Sequence, residues 1–242
     1  YLIKYGTTKY LQEPLNEVIA SRIMDLLNIP HVEYKLIWEE VDGVKYPYCL
    51  CECFITSDTE LVTEDKFMHN KISKQPETKS HYQYFIDCCN EVGIKNAQLR
   101  VDQMIVVDFL IENEDRHTNN FGLIRNANTL EFIDMAPIYD NGNSLWFFSK
   151  EDNIQFHKDT GKPFANRHYK QIKFLTNFDW LDLEKLNGFE LEMNEIFKKS
   201  PFINENRRIA LCNNFLRKKR LLQKYINEIK VNPNYDPKYD VE

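Results

Sequence analysis

The stretch that decides the fold is EDRHTNN at residues 114–120, followed by a short hairpin and then by APIYDNG at residues 136–142. Asp115 stands five residues before Asn120, directly after an apolar segment with helical periodicity. The hairpin then brings a second carboxylate, that of Asp140, back toward the first. We therefore expect these three side chains to converge at one site.

Carboxylate and amide oxygens in such a set suit phosphoryl transfer. Asp115 can face a hydroxyl nucleophile, while Asn120 and Asp140 can hold Mg²⁺, which neutralises the charge that spreads over phosphate oxygens. Each residue alone has a plainer explanation, because Asp and Asn also cap turns and satisfy loop backbone. Their occurrence together and in order favours the catalytic interpretation. His117 joins the candidate catalytic group in support, since an imidazole hydrogen bond can orient Asp115 or the loop.

The chain before this motif predicts a small sheet with one helix. Residues 1–5 are rich in β-formers, and residues 15–27 carry apolar side chains at helical spacing. Two further strands, at 33–40 and 46–56, flank an Asp-Gly hairpin dipeptide at residues 42 and 43. Later in the chain helical periodicity dominates, and the predicted helices lie at residues 99–113, 181–199 and 205–230.

Composition excludes several classes of function. A net charge of −6 gives no general attraction to nucleic acid or to anionic membranes. No apolar stretch approaches the roughly 20 residues of a membrane span, and no signal segment opens the chain. We therefore expect no direct nucleic-acid contact, no membrane association and a cytoplasmic location, with export to a host as the alternative.

The clusters of cysteines and of basic residues are each expected to have an ordinary structural explanation. Cys49, Cys51 and Cys53 alternate along a predicted strand, and we expect buried thiols there rather than a zinc site. A basic cluster is expected to be a solvated helix surface rather than a phosphate site: it comprises Arg207, Arg208, Arg217, Lys218, Lys219 and Arg220. Segment 144–170 is expected to be an exposed loop, or else a groove for an acidic acceptor: its cations are Lys150, Lys158, Lys162, Arg167 and Lys170.

The motifs, in this order, resemble those of the HipA-like kinases, and within them the CtkA-type serine/threonine kinases. The resemblance covers most of the chain and rests on YLIK at 1–4, NEVIA at 16–20, NEDRHTNNFG at 113–122 and APIYD at 136–140. It implies a protein-kinase-like fold, ATP and Mg²⁺ as cofactors, and a protein substrate with a Ser or Thr acceptor. An antitoxin-like partner is a further implication.

The resemblance also implies roles for individual residues. Asp115 would face the acceptor hydroxyl, and Asn120 and Asp140 would hold Mg²⁺ against the nucleotide phosphates. Lys4 matches the strand lysine that contacts ATP phosphates, with Glu17 as its ion-pair partner; the plainer interpretation is an exposed surface pair. The inter-lobe hinge that receives adenine is matched by Cys51, Glu52, Cys53 and Phe54, which could equally be an ordinary buried strand.

We therefore predict a two-lobed α+β kinase fold, in which residues 1–60 form the nucleotide-covering N-lobe and residues 61–242 form the helical catalytic C-lobe. The predicted function is transfer of the γ-phosphoryl of Mg-ATP to a protein hydroxyl, including autophosphorylation. The sequence lacks a glycine-rich loop before Lys4, which indicates either a longer natural protein or another way of covering ATP. The alternatives are a catalytically weak kinase-fold binding module and, because the Asp-Arg-His order is also found in phosphatidylinositol kinases, a lipid or small-molecule kinase.

Overall fold

A small antiparallel sheet and one long helix come first, and helices dominate the rest of the chain. The computed structural model describes residues 1–156, 159–175 and 177–236. The strands are β1 (Leu2–Tyr5), β2 (Tyr34–Val41), β3 (Val44–Cys51), β4 (Thr59–Thr63), β5 (Gly122–Asn126) and β6 (Phe132–Met135). The α-helices are α1 (Glu13–Leu27), α2 (Glu64–Met68), α3 (His81–Glu91), α4 (Ala97–Ile111), α5 (His168–Ile172), α6 (Phe189–Lys198) and α7 (Glu205–Val231), with 3₁₀ turns at Ile72–Lys74, Glu151–Phe156 and Leu183–Leu186.

The first sheet has the strand order β1-β3-β2, and both pairings are antiparallel. The β2–β3 hairpin turns at Asp42 and Gly43, which have φ angles of 51° and 76°. Asp and Gly tolerate this left-handed conformation better than most residues, which is why the dipeptide marks the turn. The predicted hairpin is therefore confirmed, although its second strand ends at Cys51 rather than at residue 56.

Helix α1 packs beneath this sheet and also reaches the second half of the molecule. Pro14 lies in its first turn, where proline is tolerated, and Asn28 closes it in a left-handed conformation. Twelve of its 15 residues are buried. The helix is buried to this extent because other elements contact it on several sides. The strands β1, β2 and β3 pack on one side, and α4, α6 and the turn Leu183–Leu186 pack on the other sides.

The second sheet has the strand order β4-β5-β6 and carries the predicted hairpin before the Asp140 motif. Gly122 opens β5 where β4 passes very close, since an added Cβ would lie 2.7 Å from Cα of Thr63. The predicted lobe boundary at residue 60 falls inside β4, which pairs along its whole length with β5. The division into residues 1–60 and 61–242 stays a prediction.

Helix α4 forms the centre of the core. It is buried on almost every face, as expected for a helix that is apolar all round. It leads directly into the EDRHTNN loop, so the loop starts from a rigid support. No helix within the described residues is long and apolar enough to cross a bilayer. The cytoplasmic location stays a prediction.

Two sequence predictions about burial need correction. Cys49 and Cys51 are buried strand thiols as predicted, and burial raises the pKa of Cys49 to about 12. Cys53, however, is exposed, because β3 has already ended. The basic cluster of α7 is not one solvated surface either, since Arg207 and Lys218 are fully buried.

Candidate active site

Lys4 connects the first sheet, helix α1 and the Asp140 motif. Its ammonium lies 2.7 Å from Oε1 of Glu17 and 2.7 Å from Oδ1 of Asp140. The ion pair with Glu17 that the sequence predicts is therefore present, and it is not an exposed surface pair, because the Glu17 side chain is only 1% exposed. Burial alone would lower the pKa of Lys4, but the two carboxylates outweigh it and raise the pKa above its ordinary value. Lys4 is held as a cation at the mouth of the cleft.

Asp140 has an unusual backbone conformation that is fixed by neighbours on both sides. Its φ angle of 59° lies in the left-handed region, which Asp adopts more readily than most side chains. The following N–H, that of Asn141, donates to Oε2 of Glu17 at 2.8 Å. Glu17 thus binds Lys4 with one oxygen and the backbone after Asp140 with the other. The carboxylate of Asp140 remains 44% exposed toward the cleft.

Asp115 lies in the loop after α4, where hydrogen bonds fix its backbone. Its N–H donates to Oδ1 of Asn113 at 3.0 Å, and its carbonyl oxygen accepts from Nδ2 of Asn120 at 2.9 Å. Since Nδ2 is used in this way, the amide oxygen of Asn120 is the atom left to bind a cation. His117 accepts the backbone N–H of Asn119 at its Nδ1. The imidazole therefore holds the loop backbone, and its supporting role in catalysis stays a prediction.

Arg116 joins the 114–120 loop to the 136–142 segment. Its guanidinium is fully buried and pairs with Asp108 of α4 at 3.0 Å. The same group donates to the carbonyl oxygens of Asn120 and Tyr139 and, at 2.6 Å, to Oδ1 of Asn141. Burial lowers the pKa of Arg116, but the Asp108 carboxylate outweighs that effect and keeps the pKa above its ordinary value. One cation thereby fixes the Asn120 loop against the segment that carries Asp140.

Asn143 and Lys162 hold the carboxylate of Asp115. Nδ2 of Asn143 donates to Oδ2 at 3.0 Å, and the ammonium of Lys162 lies 3.2 Å from Oδ1. Asn143 also lines a pocket of about 340 Å³ whose walls include Lys4, Glu17 and Asp140. This volume is in the range of small-molecule sites. Asp115 is thus linked by one side chain to the pocket that contains the other charged residues.

The predicted hinge residues line a separate pocket. Glu52, Cys53 and Phe54 border a cavity of about 330 Å³ at the end of β3. None of its described lining residues belongs to the Lys4 pocket. The link between the two is Phe54, whose ring centroid lies 5.4 Å from that of Tyr139, the residue before Asp140. The structure brings Lys4, Glu17 and Asp140 into contact and Asp115 beside Asn120, while the hinge group stands apart.

The donor set fits Mg²⁺ in its chemistry. Asp140 offers a carboxylate and Asn120 an amide oxygen, and Mg²⁺ is commonly held by one or two protein oxygens together with phosphate and water oxygens. In the described part of the chain, no cluster of three or more His, Cys, Asp or Glu side chains could hold a metal ion.

Sequence reasoning missed several residues that shape this site. Arg116, Asn141 and Asn143 lie within or beside the quoted motifs, but their partners are distant in the chain and no spacing rule identifies them. Asn16 was likewise missed: its amide donates to the carbonyl oxygens of Gly142 and Ser144. The signal for Asn16 was its place in α1, one position before Glu17 on a helix whose apolar pattern predicts burial.

Comparison with known proteins gives a match at the level of structure. No family model matches the chain, and no curated protein matches it. Among solved structures, it is similar to the Helicobacter pylori proinflammatory kinase CtkA, with a TM-score of 0.63 and 19% identity over 90% of this chain and 86% of that chain. It also matches HipA of Shewanella oneidensis MR-1, solved with HipB and operator DNA, with a TM-score of 0.48 and 12% identity over 94% of this chain and 59% of that chain.

The likeness to CtkA confirms the predicted fold. The chain has a mixed α and β structure with small antiparallel sheets and several helices, as a kinase-like fold requires. The resemblance to CtkA-type proteins inferred from the motifs is thus supported by structure, at low sequence identity. At that identity the likeness concerns the fold, and activity must be argued from the site.

Proposed function

We propose that this chain, which has the kinase-like fold of CtkA, is a HipA-like protein kinase that transfers the γ-phosphoryl group of Mg-ATP to a serine or threonine hydroxyl. The observation that carries the proposal is the convergence of Lys4, Glu17 and Asp140 in one pocket, with Asp115 joined to it through Asn143. Phosphoryl transfer requires an ammonium that binds phosphate, a carboxylate that binds metal and a second carboxylate for the acceptor, and Lys4, Asp140 and Asp115 offer these groups.

Each residue has a distinct task in this reaction. Lys4 would bind phosphate oxygens, and Glu17 would keep its ammonium in place. Asp140 and Asn120 would hold Mg²⁺, which neutralises charge on the phosphates when it is bound. Asp115 would orient the acceptor hydroxyl and receive its proton. The new bond forms between the acceptor oxygen and the γ-phosphorus, the bond from that phosphorus to the bridging oxygen breaks, and ADP leaves with the electron pair.

The hinge and lobe assignments form part of the same proposal. The β3 end at Glu52, Cys53 and Phe54 would receive adenine, since the pocket there lies beside the Phe54–Tyr139 contact that leads to Asp140. The N-lobe and C-lobe division at residue 60 remains part of the proposal, as does an antitoxin-like partner. Autophosphorylation would use the same groups.

The direct test is transfer of label from γ-labelled ATP to casein, a serine- and threonine-rich acceptor, in the presence of Mg²⁺. We expect Asp115→Asn and Asp140→Asn to lower transfer at least about 100-fold, because each removes a charge that acts on the reacting groups. Asp42→Asn is the matched control, since Asp42 also has a left-handed backbone but lies at the exposed hairpin turn. It should transfer label at the wild-type rate.

The same experiment separates the proposal from its alternatives. Label on phosphoserine or phosphothreonine, lost in both site variants, supports a protein kinase. ATP binding without any transfer would indicate a binding module and would overturn the proposal. Transfer to phosphoinositide or to a small hydroxyl compound, but not to casein or to the chain itself, would replace the protein acceptor with a lipid or small-molecule one.

A further inference from the structure

Lys162 reaches the candidate catalytic carboxylate from a remote part of the chain. It lies 47 residues beyond Asp115, yet its ammonium is 3.2 Å from Oδ1 of that residue. The two side chains are 49% and 36% exposed, so the pair stands at the open side of the site. The other carboxylate oxygen is already held by Asn143. Lys162 therefore occupies the solvent-exposed side of the Asp115 carboxylate.

The segment that carries Lys162 is held in place by contacts on both sides of that residue. Phe164, two residues later, packs its ring against those of Phe85 and Phe121, and its N–H donates to Gln171. Phe121 immediately follows Asn120, so the segment is attached beneath the catalytic loop itself. Gly161 allows a close approach on the other side, since an added Cβ would lie 2.7 Å from the backbone nitrogen of His168. Lys162 extends from a fixed backbone between these two points.

The loop that contains Asp115 directs its own basic residues, Arg116 and His117, elsewhere. Arg116 is fully buried and turned toward Asp108, and the ring of His117 accepts a backbone N–H. Lys4 is bound to Glu17 and Asp140, in the pocket that Asn143 joins to Asp115. A positive charge beside the acceptor would therefore have to come from another segment, and Lys162 is placed to supply it.

We propose that Lys162 is a further catalytic residue, whose ammonium leaves the carboxylate of Asp115 and binds the phosphoryl group as it passes to the acceptor. This inference rests on the proposed function. As the acceptor oxygen attacks the γ-phosphorus, its proton moves to Asp115 and the leaving oxygen departs with ADP. The carboxylate thereby loses its negative charge while the equatorial phosphoryl oxygens keep theirs, so the ammonium is drawn from one to the other.

The charge on Lys162 would act on the transition state more than on the bound nucleotide. A cation that binds the transferring oxygens more strongly in the transition state than in the ground state contributes to kcat, whereas uniform binding would appear in KM. A purely structural role would instead appear as lost stability. Exposed ion pairs contribute little to stability, which makes the two roles separable by measurement.

The test compares Lys162→Met with Lys162→Arg and with Lys173→Met. Lys173 is a matched control because it also forms a half-exposed pair at 3.2 Å, with Asp236, and lies outside the site. We expect Lys162→Met to lower kcat about 100-fold with KM for ATP and the melting temperature close to wild type. Lys162→Arg, which keeps the charge, should recover at least a tenth of the wild-type kcat. Lys173→Met should leave all three quantities unchanged.

The possible outcomes separate this inference from the proposed function. If wild-type protein transfers no phosphoryl group, the proposed function fails and the role of Lys162 fails with it. If wild type is active and Lys162→Met is equally active, only the role of Lys162 is overturned. Equal loss in the Met and Arg variants would also overturn it, because the charge would then not be what matters. A loss of kcat matched by a lower melting temperature would assign Lys162 a structural role instead.

Discussion

Arg116 shows how much of the site depends on one buried cation. Its guanidinium binds the carboxylate of Asp108, the backbone of Asn120 and the side chain of Asn141. Each of these partners belongs to a different segment, namely α4, the 114–120 loop and the segment after Tyr139. Buried charges are costly unless they are paired, and here the pairing also fixes the relative positions of the segments.

Replacing Arg116 by Met should therefore destabilise the whole protein. The change leaves the Asp108 carboxylate buried without its cation, and we expect the free energy of unfolding to fall by about 3–5 kcal/mol. Urea denaturation followed by circular dichroism measures this quantity. A double variant that adds Asp108→Leu should recover part of the loss, since the uncompensated charge is then removed. A loss below about 1 kcal/mol in the single variant would contradict the structural role of Arg116.

At the scale of elements, helix α7 illustrates what periodicity alone could have identified. Its buried positions recur every three or four residues, through Arg207, Leu211, Phe215, Lys218 and Leu222. Two of the cations assigned to a solvated surface therefore lie on the apolar stripe. Charge alone predicts that these cations lie at the surface, whereas helical spacing places them among the buried positions.

The two buried cations of α7 have partners that the sequence does not reveal. Arg207 donates to Oε1 of Gln12 at 2.9 Å and lies over the ring of Tyr10, both in the loop before α1. Lys218 lies 2.6 Å from Oε2 of Glu112, at the end of α4. These partners are more than 100 residues away in the chain. Long-range pairing of this kind cannot be inferred from one sequence.

Lys218→Met should destabilise the protein much more than the same change at an exposed position of α7. It removes the cation that pairs with Glu112 in the core, and we expect the free energy of unfolding to fall by about 3 kcal/mol or more. Arg220→Met is the matched control, because Arg220 belongs to the same helix but is exposed, and we expect a change within about 0.5 kcal/mol. Both values come from urea denaturation. Similar losses of unfolding free energy in the two variants would contradict the stabilising role of the buried Lys218–Glu112 pair.

For the whole molecule, sequence patterns predicted the order of elements better than the contacts between them. The two hairpins, helix α1 and helix α4 were predicted because turn residues and apolar spacing are local signals. The Lys4–Glu17 pair was predicted by resemblance, and the structure contains it. The contact of Lys4 with Asp140 and that of Lys162 with Asp115 join residues far apart in the chain, so they required the fold.

A nucleotide that binds across the pocket should stabilise the whole fold. With Mg²⁺ and a non-hydrolysable ATP analogue at about 100 times its Kd, we expect the melting temperature to rise by about 5–10 °C. Asp140→Asn should show a smaller rise and Asp42→Asn the full rise, because only the first removes an expected metal ligand. Differential scanning fluorimetry provides the measurement. An unchanged melting temperature in wild type at saturating analogue would count against nucleotide binding in this pocket.

The burial of helix α1 has a consequence for how the pocket opens. The helix is bonded to the segment after Asp140 through Asn16 and Glu17, and it packs on α4 and α6 as well as on the first sheet. The first sheet is bonded to α1 as well, since Lys4 pairs with Glu17 and the N–H of Tyr34 donates to Oγ of Ser21. We therefore expect the first sheet, α1 and the segment after Asp140 to move together, so that α1 couples the sheet to the rest of the site.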